Sequence, residues 1–216
     1  SMSLGSTGRA GQAVALSDAF VVIGAPARND EQGGVEVFER QSNGSWSRFV
    51  SLLPPVPESG AQFGATLALD GQVLAVGAPY QNGGMAENVG AVFVYEYGAQ
   101  GGVATSTRID PPPPVDPFGN FGHALALYGG YLVVGARDED MSAVGGGGRI
   151  GAVYIYERVA RGDWQLRERL EPPVSNERMQ FGWSVALDAD TLAVGAPGAR
   201  TGGEEDAGAV FLYAAP

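Results

Sequence analysis

Few side chains in this chain of 216 residues are able to do covalent or acid–base chemistry. It has no cysteine and one histidine, His123, and all 13 basic residues are arginine. Disulfides, thiolate nucleophiles, Schiff-base lysines and zinc sites built on cysteine or several histidines are excluded. Any Ser-His-Asp relay must run through His123. Two carboxylates flanking a glycosidic bond remain chemically possible, but no such pair stands out among the acids.

Those acids gather in loops: Asp30 and Glu31, then Glu87, then Asp138, Glu139 and Asp140, then Glu204, Glu205 and Asp206. If the loops correspond, the carboxylates line one rim that can take a basic partner or a divalent cation such as calcium. The plainer reading is a set of solvated loops in an acidic protein. His123 and Trp183 each follow a Phe-Gly pair. Trp183 can stack on a sugar or an apolar group with His123 as its hydrogen-bonding neighbour, or both can simply pack between units.

The formal charge of −11 repels phosphate backbones and argues against a nucleic-acid partner. No run of about 18 apolar residues is present to span a membrane.

The elements that position these residues repeat. Residues 10–26 read AGQAVALSDAFVVIGAP, 63–79 FGATLALDGQVLAVGAP, 121–137 FGHALALYGGYLVVGAR and 181–197 FGWSVALDADTLAVGAP. After a variable loop, each is followed by an apolar run, at 33–39, 90–96, 151–157 and 208–214. The units are 10–62, 63–120, 121–180 and 181–216, behind an N-terminal extension, 1–9, that starts like a tag remnant.

Each unit predicts four strands, A to D. A and B form a tight hairpin, for which Asp70-Gly71 is the best signal. Strands A to C are nearly continuous apolar runs, as expected of strands buried on both faces. Strand D alternates, as in Trp164 to Leu170, and is an outer, half-solvated strand. The last unit lacks strand D. Four-stranded sheets repeated in this way predict an all-β propeller with about four blades, closed as a small ring or by self-association, including a homodimer. A β-sandwich ranks second. Gly145 to Gly148 reads as a loop and not a phosphate-binding turn, since no Gly-Lys-Ser/Thr follows.

The pairs Phe63-Gly64, Phe121-Gly122 and Phe181-Gly182, with Gly-Ala-Pro at 24–26, 77–79 and 195–197, resemble the FG-GAP repeat. That repeat forms the blades of the integrin α-subunit head and of many bacterial surface proteins. Unit one departs with Ala10-Gly11, and unit three with Gly135-Ala136-Arg137. The A–B connections, such as Asp188-Ala189-Asp190, are too short to wrap calcium, so the resemblance is to a calcium-free, tight-hairpin repeat without integrin-type metal sites. It implies a non-enzymatic adhesion or recognition module, extracellular or at a cell surface. The ligand, protein or glycan, would sit on the face built by the B–C and D–A loops. A propeller lectin is the alternative.

Overall fold

The computed structural model describes residues 8–98, 102–140, 148–174, 176–202, 204 and 206–216. Glu205, and Gly145 to Gly147 of the glycine run, lie outside them. Among the described residues there are fifteen strands in four antiparallel sheets, and each sheet is laid out in chain order. The first sheet holds β1 (Val14–Leu16), β2 (Phe20–Gly24), β3 (Val35–Arg40) and β4 (Trp46–Leu52). The second holds β5 (Thr66–Asp70), β6 (Val73–Ala78), β7 (Ala91–Tyr97) and β8 (Val103–Ile109). The third holds β9 (Phe121–Tyr128), β10 (Tyr131–Ala136), β11 (Ala152–Ala160) and β12 (Asp163–Leu170). The fourth has three strands, β13 (Ser184–Leu187), β14 (Thr191–Ala196) and β15 (Ala209–Ala214). A single helical turn, Arg28–Glu31, interrupts the first B–C loop, with left-handed φ at Asn29 and Asp30.

The strand chemistry accounts for this layout. The third strand of each inner sheet has neighbours on both sides and a sheet against each face. All seven residues of β7 are buried, whereas most of β12 is exposed. The hydrophobic core is three clusters, one between each pair of consecutive sheets. At the second junction small side chains meet large ones. Ala68, Ala75, Val92 and Val94 of the second sheet face Leu125, Leu127, Leu132, Val134, Tyr154 and Tyr156 of the third. At the next junction, Ala126, Val133, Val153 and Ile155 meet Val185, Leu187, Leu192, Val194, Phe211 and Tyr213.

The backbone fixes the spacing at each junction. The glycine that begins the third-strand segment lies against the phenylalanine of the next Phe-Gly pair, and Gly33 with Phe63 and Gly90 with Phe121 form parallel bridges. A Cβ on Gly33, Gly90 or Gly151 would sit 2.0–2.1 Å from the carbonyl oxygen of Phe63, Phe121 or Phe181. These glycines also carry φ of +94°, +88° and +86°, a region open to glycine at little cost. The residue before each Phe is left-handed and donates its N–H across the junction: Gln62 to the Glu31 carbonyl at 2.8 Å, Asn120 to Asn88 at 3.1 Å and Gln180 to Arg149 at 3.1 Å. Each phenylalanine ring packs on its own sheet, Phe63 on Phe93 with centroids 5.4 Å apart.

The expectation of a small closed ring is not met within one chain. Val14 and Leu16 on the first sheet remain 67% and 69% exposed, and Val210 and Leu212 on the fourth 69% and 71%. The equivalents of the last two, Val92 and Val94, are buried. The first sheet also differs where a closing partner would meet it. Ala10 replaces the phenylalanine, and Glu36 stands where the other sheets have Phe93, Tyr154 and Phe211.

A methyl group at Gly90 must push the Phe121 backbone away and hold a left-handed φ. Gly90→Ala is expected to lower stability by at least about 3 kcal/mol in urea denaturation. Gly84→Ala, at an equally left-handed loop glycine with nothing within 4 Å, should lose only about 1 kcal/mol.

Candidate functional site

The B–C and D–A loops emerge at one end of the sheets, and the structure sorts the acids there into two kinds. Asp30, Glu87, Glu204 and Asp206 are exposed and Glu31 and Asp140 are half-buried, while Asp138 and Glu139 are buried. The expected register does not hold. The left-handed residue two before the docking glycine is Glu31, Asn88, Arg149 and Asp206 in the four loops. In the third loop that position is basic, and its acids sit at the other end, straight after β10.

The buried pair is structural. Glu139 accepts from the Tyr154 hydroxyl at 2.7 and 2.8 Å and from Arg169 Nε and Nη2 at 3.0 and 2.7 Å. Burial pushes its carboxyl above the usual range, with Tyr154 and Arg169 opposing the rise. Asp138 accepts from Asn120 Nδ2 at 2.6 Å, Arg137 Nε at 3.0 Å and Gln180 Nε2 at 3.3 Å. Asn120 and Gln180 immediately precede successive Phe-Gly pairs, so Asp138 ties two D–A loops together. Asp140 accepts from the Gly148 N–H at 2.5 Å and donates its own N–H to the Asp116 carboxylate. Among the described residues no group of three or more His, Cys, Asp or Glu side chains is arranged to hold a metal ion. Among the described residues the carboxylates thus share no register around one rim and gather into no group that could hold a metal ion.

His123 and Trp183 do come together, as expected, across the junction between the third and fourth sheets. Their ring centroids are 5.2 Å apart. What joins them is Arg137, the residue that stands where the other units have proline. Its guanidinium carbon lies 4.5 Å from the Trp183 ring centroid, and its Nη1 is 2.6 Å from His123 Nε2. A guanidinium only donates, so Nε2 accepts and the imidazole is neutral with its proton on Nδ1. Burial first, and the Arg137 charge second, lower the imidazole pKa to about 4, against a weaker pull from the Trp183 backbone and Asp138. The basic nitrogen is therefore committed to Arg137. Trp183 is 40% exposed.

Two features of the molecule escaped the sequence reading. The loop face exposes apolar side chains as well as acids: Leu53, Val56, Met85, Phe118 and Val174 all stand in B–C or D–A loops. At the opposite end, Glu96 is 2% exposed and accepts from Arg158 Nε and Nη2 at 3.1 and 2.5 Å and from Gly162 N–H at 2.9 Å. This clasp forms one wall of a cavity of about 380 Å³ between the second and third sheets, with Trp164, Arg161 and Asp70 also lining it. Recurrence of Glu-Arg and Glu-Tyr at the ends of the third strands was the available signal, but the partner lies in another unit.

With the geometry in hand, comparison with known proteins gives a family. The FG-GAP repeat matches residues 46–95 and 164–213. Each match begins at the tryptophan of an outer strand and ends in the third strand of the next sheet. No curated protein matches the chain. No helix among the described residues is long and apolar enough to cross a membrane.

The neutral histidine makes a pH prediction. Its folded pKa of about 4 lies below the ordinary 6.5, so between those values the unfolded chain holds more protons. Stability from this group therefore rises with pH through that window and is lost on acidification. Glu139, whose carboxyl is raised, acts in the opposite sense, so the comparison is between wild type and His123→Gln. From about pH 7 to about pH 4.5 the wild type should lose more urea stability than the variant. Equal losses would show that His123 is not held neutral.

Proposed function

We propose that this FG-GAP repeat chain is a non-enzymatic binding module of adhesion type, acting outside the cell or at its surface, that receives its ligand on the loop face. FG-GAP repeats occur in adhesion-type proteins and are typical of extracellular ones, which supports the class and the location. The observation that carries the choice of face is the Trp183–Arg137–His123 stack. A partly exposed indole is held flat by a guanidinium that is itself fixed from two sides. Such a pre-ordered aromatic loses little conformational freedom on binding. Exposed apolar side chains on the neighbouring loops add contact area for a protein partner. The absence of a free basic nitrogen on His123 supports the non-enzymatic reading.

A lectin is the second reading, and Trp183 is what favours it, since an indole face can stack on a sugar ring. Binding is measured on a glycan array with wild type, Trp183→Ala and Arg137→Pro. The last restores the Gly-Ala-Pro of the other units but takes a cation from buried Asp138, so its folding is checked by circular dichroism before the array is read. For a lectin, wild type binds a defined set of glycans and both variants lose at least about tenfold in affinity. Glycan binding that neither substitution alters removes this patch as the site. An array with no wild-type binding removes the lectin reading and leaves the protein ligand.

A further inference from the structure

The exposed faces of the first and fourth sheets carry both halves of a junction that the molecule builds three times within itself. From this continuity we infer that two copies of the chain associate head to tail, the fourth sheet of each docking on the first sheet of the other. This interaction is independent of the loop-face ligand.

The receiving half is already formed in the fourth sheet. Gly208 has φ of +77°, and its N–H donates to the Ala199 carbonyl at 3.0 Å, as the Gly90 N–H donates to Gln81 at 2.8 Å. Asp206, two residues earlier, is left-handed like Glu31, Asn88 and Arg149. Ala186, Ala193, Val210 and Leu212 repeat the small face that Ala68, Ala75, Val92 and Val94 bury at an internal junction. A Cβ built on Gly208 meets only the atoms of its own Pro197 and Ala196, 3.5–4.0 Å away.

The donating half is formed in the first sheet. Arg9 has φ of 54°, matching 55° at Gln62, Asn120 and Gln180. The bonds that shape the docked segments recur around it. Gly11 N–H donates to Gly24 at 2.9 Å, as Gly64 does to Gly77 at 2.9 Å. Gln12 N–H donates to Arg9 at 3.1 Å, as Trp183 does to Gln180 at 3.0 Å. Ala27 N–H donates to Gly8 at 3.0 Å, as Asp138 does to Gly119 at 3.3 Å.

The two departures of the first sheet leave this backbone segment intact. The missing phenylalanine ring would pack on its own sheet and makes none of the junction's backbone bonds. Glu36 is 8% exposed and engaged by Arg28 at 3.0 Å, Ser51 at 2.5 Å and Arg48 at 3.4 Å. The surface left to meet a second copy is Val14, Leu16, Val21 and Ile23. In the docked pair, the Arg9 and Ala10 N–H groups of one copy donate to the Asp206 and Ala207 carbonyls of the other. The two copies share two identical junctions.

Light scattering on the eluting protein tests this. The wild type should have twice the 22.3 kDa of one chain. Gly208→Ala or Leu212→Glu on the fourth sheet should give single chains, and so should Leu16→Glu on the first. Mixing Leu212→Glu with Leu16→Glu should restore the doubled mass, because the pair retains one sound fourth sheet and one sound first sheet. A wild type at 22.3 kDa at every concentration overturns the inference. So does a Leu16→Glu variant that stays paired, which would mean fourth sheet on fourth sheet, or a mixture that stays single.

Discussion

The close seating of one peptide unit on a glycine is the constraint from which the rest of this molecule follows. At Gly33, Gly90 and Gly151 a carbonyl from the next unit occupies the space that any Cβ would need. That approach sets the distance between consecutive sheets, and the distance dictates which side chains fit between them. At the second junction alanine and valine of one sheet meet leucine and tyrosine of the next, whereas at the first Phe20 and Phe49 pack on Tyr97. Close-packed interiors tolerate little deviation from such a division of volume. Two residues before each glycine the backbone is left-handed, and the three carbonyls that precede the glycine all accept from the next unit.

With the spacing fixed by backbone, each junction is free to differ in its polar edge. Between the first and second sheets Glu58 accepts from Gln81 and from the Asn82 N–H. Between the second and third, buried Glu96 pairs with the partly exposed Arg158. Between the third and fourth, Asp138 gathers Arg137, Asn120 and Gln180, and Arg137 carries the stack with His123 and Trp183. Burying one partner of such pairs without the other is costly, so each edge is specific to its own junction. The formal charge of −11 is in consequence not one acidic rim. Part of it is internal and neutralised, and the rest is scattered among exposed apolar residues.

How much of this was legible varied with how local the determinant is. The strands, the hairpins and the half-solvated outer strand followed from periodicity and turn residues, and Asp70-Gly71 turned where expected. The recurring Phe-Gly and Gly-Ala-Pro pairs marked the units. The roles of the acids are not legible because their partners are distant in sequence. Arg169 reaches Glu139 from thirty residues away, and nothing near Asp138 names Gln180 as its partner. Counted from the docking glycine, Arg149 is in register with Glu31. Closure of the ring was expected from apolar ends alone. Ala10 and Glu36 stood in the sequence, but their meaning depends on which face of the first sheet they occupy.

The matched repeats cut across the sheets. Each runs from the outer strand of one sheet into the third strand of the next, β4 to β7 and β12 to β15. The matched unit is therefore one outer strand with the three inner strands of the next sheet, and it carries the phenylalanine of one junction and the glycine of the following one. Duplication or loss of one such segment in a gene adds or removes a complete contact and leaves every surviving glycine with its carbonyl. An array can lengthen or shorten over evolutionary time without passing through a broken intermediate, and each new copy is free to acquire its own polar edge.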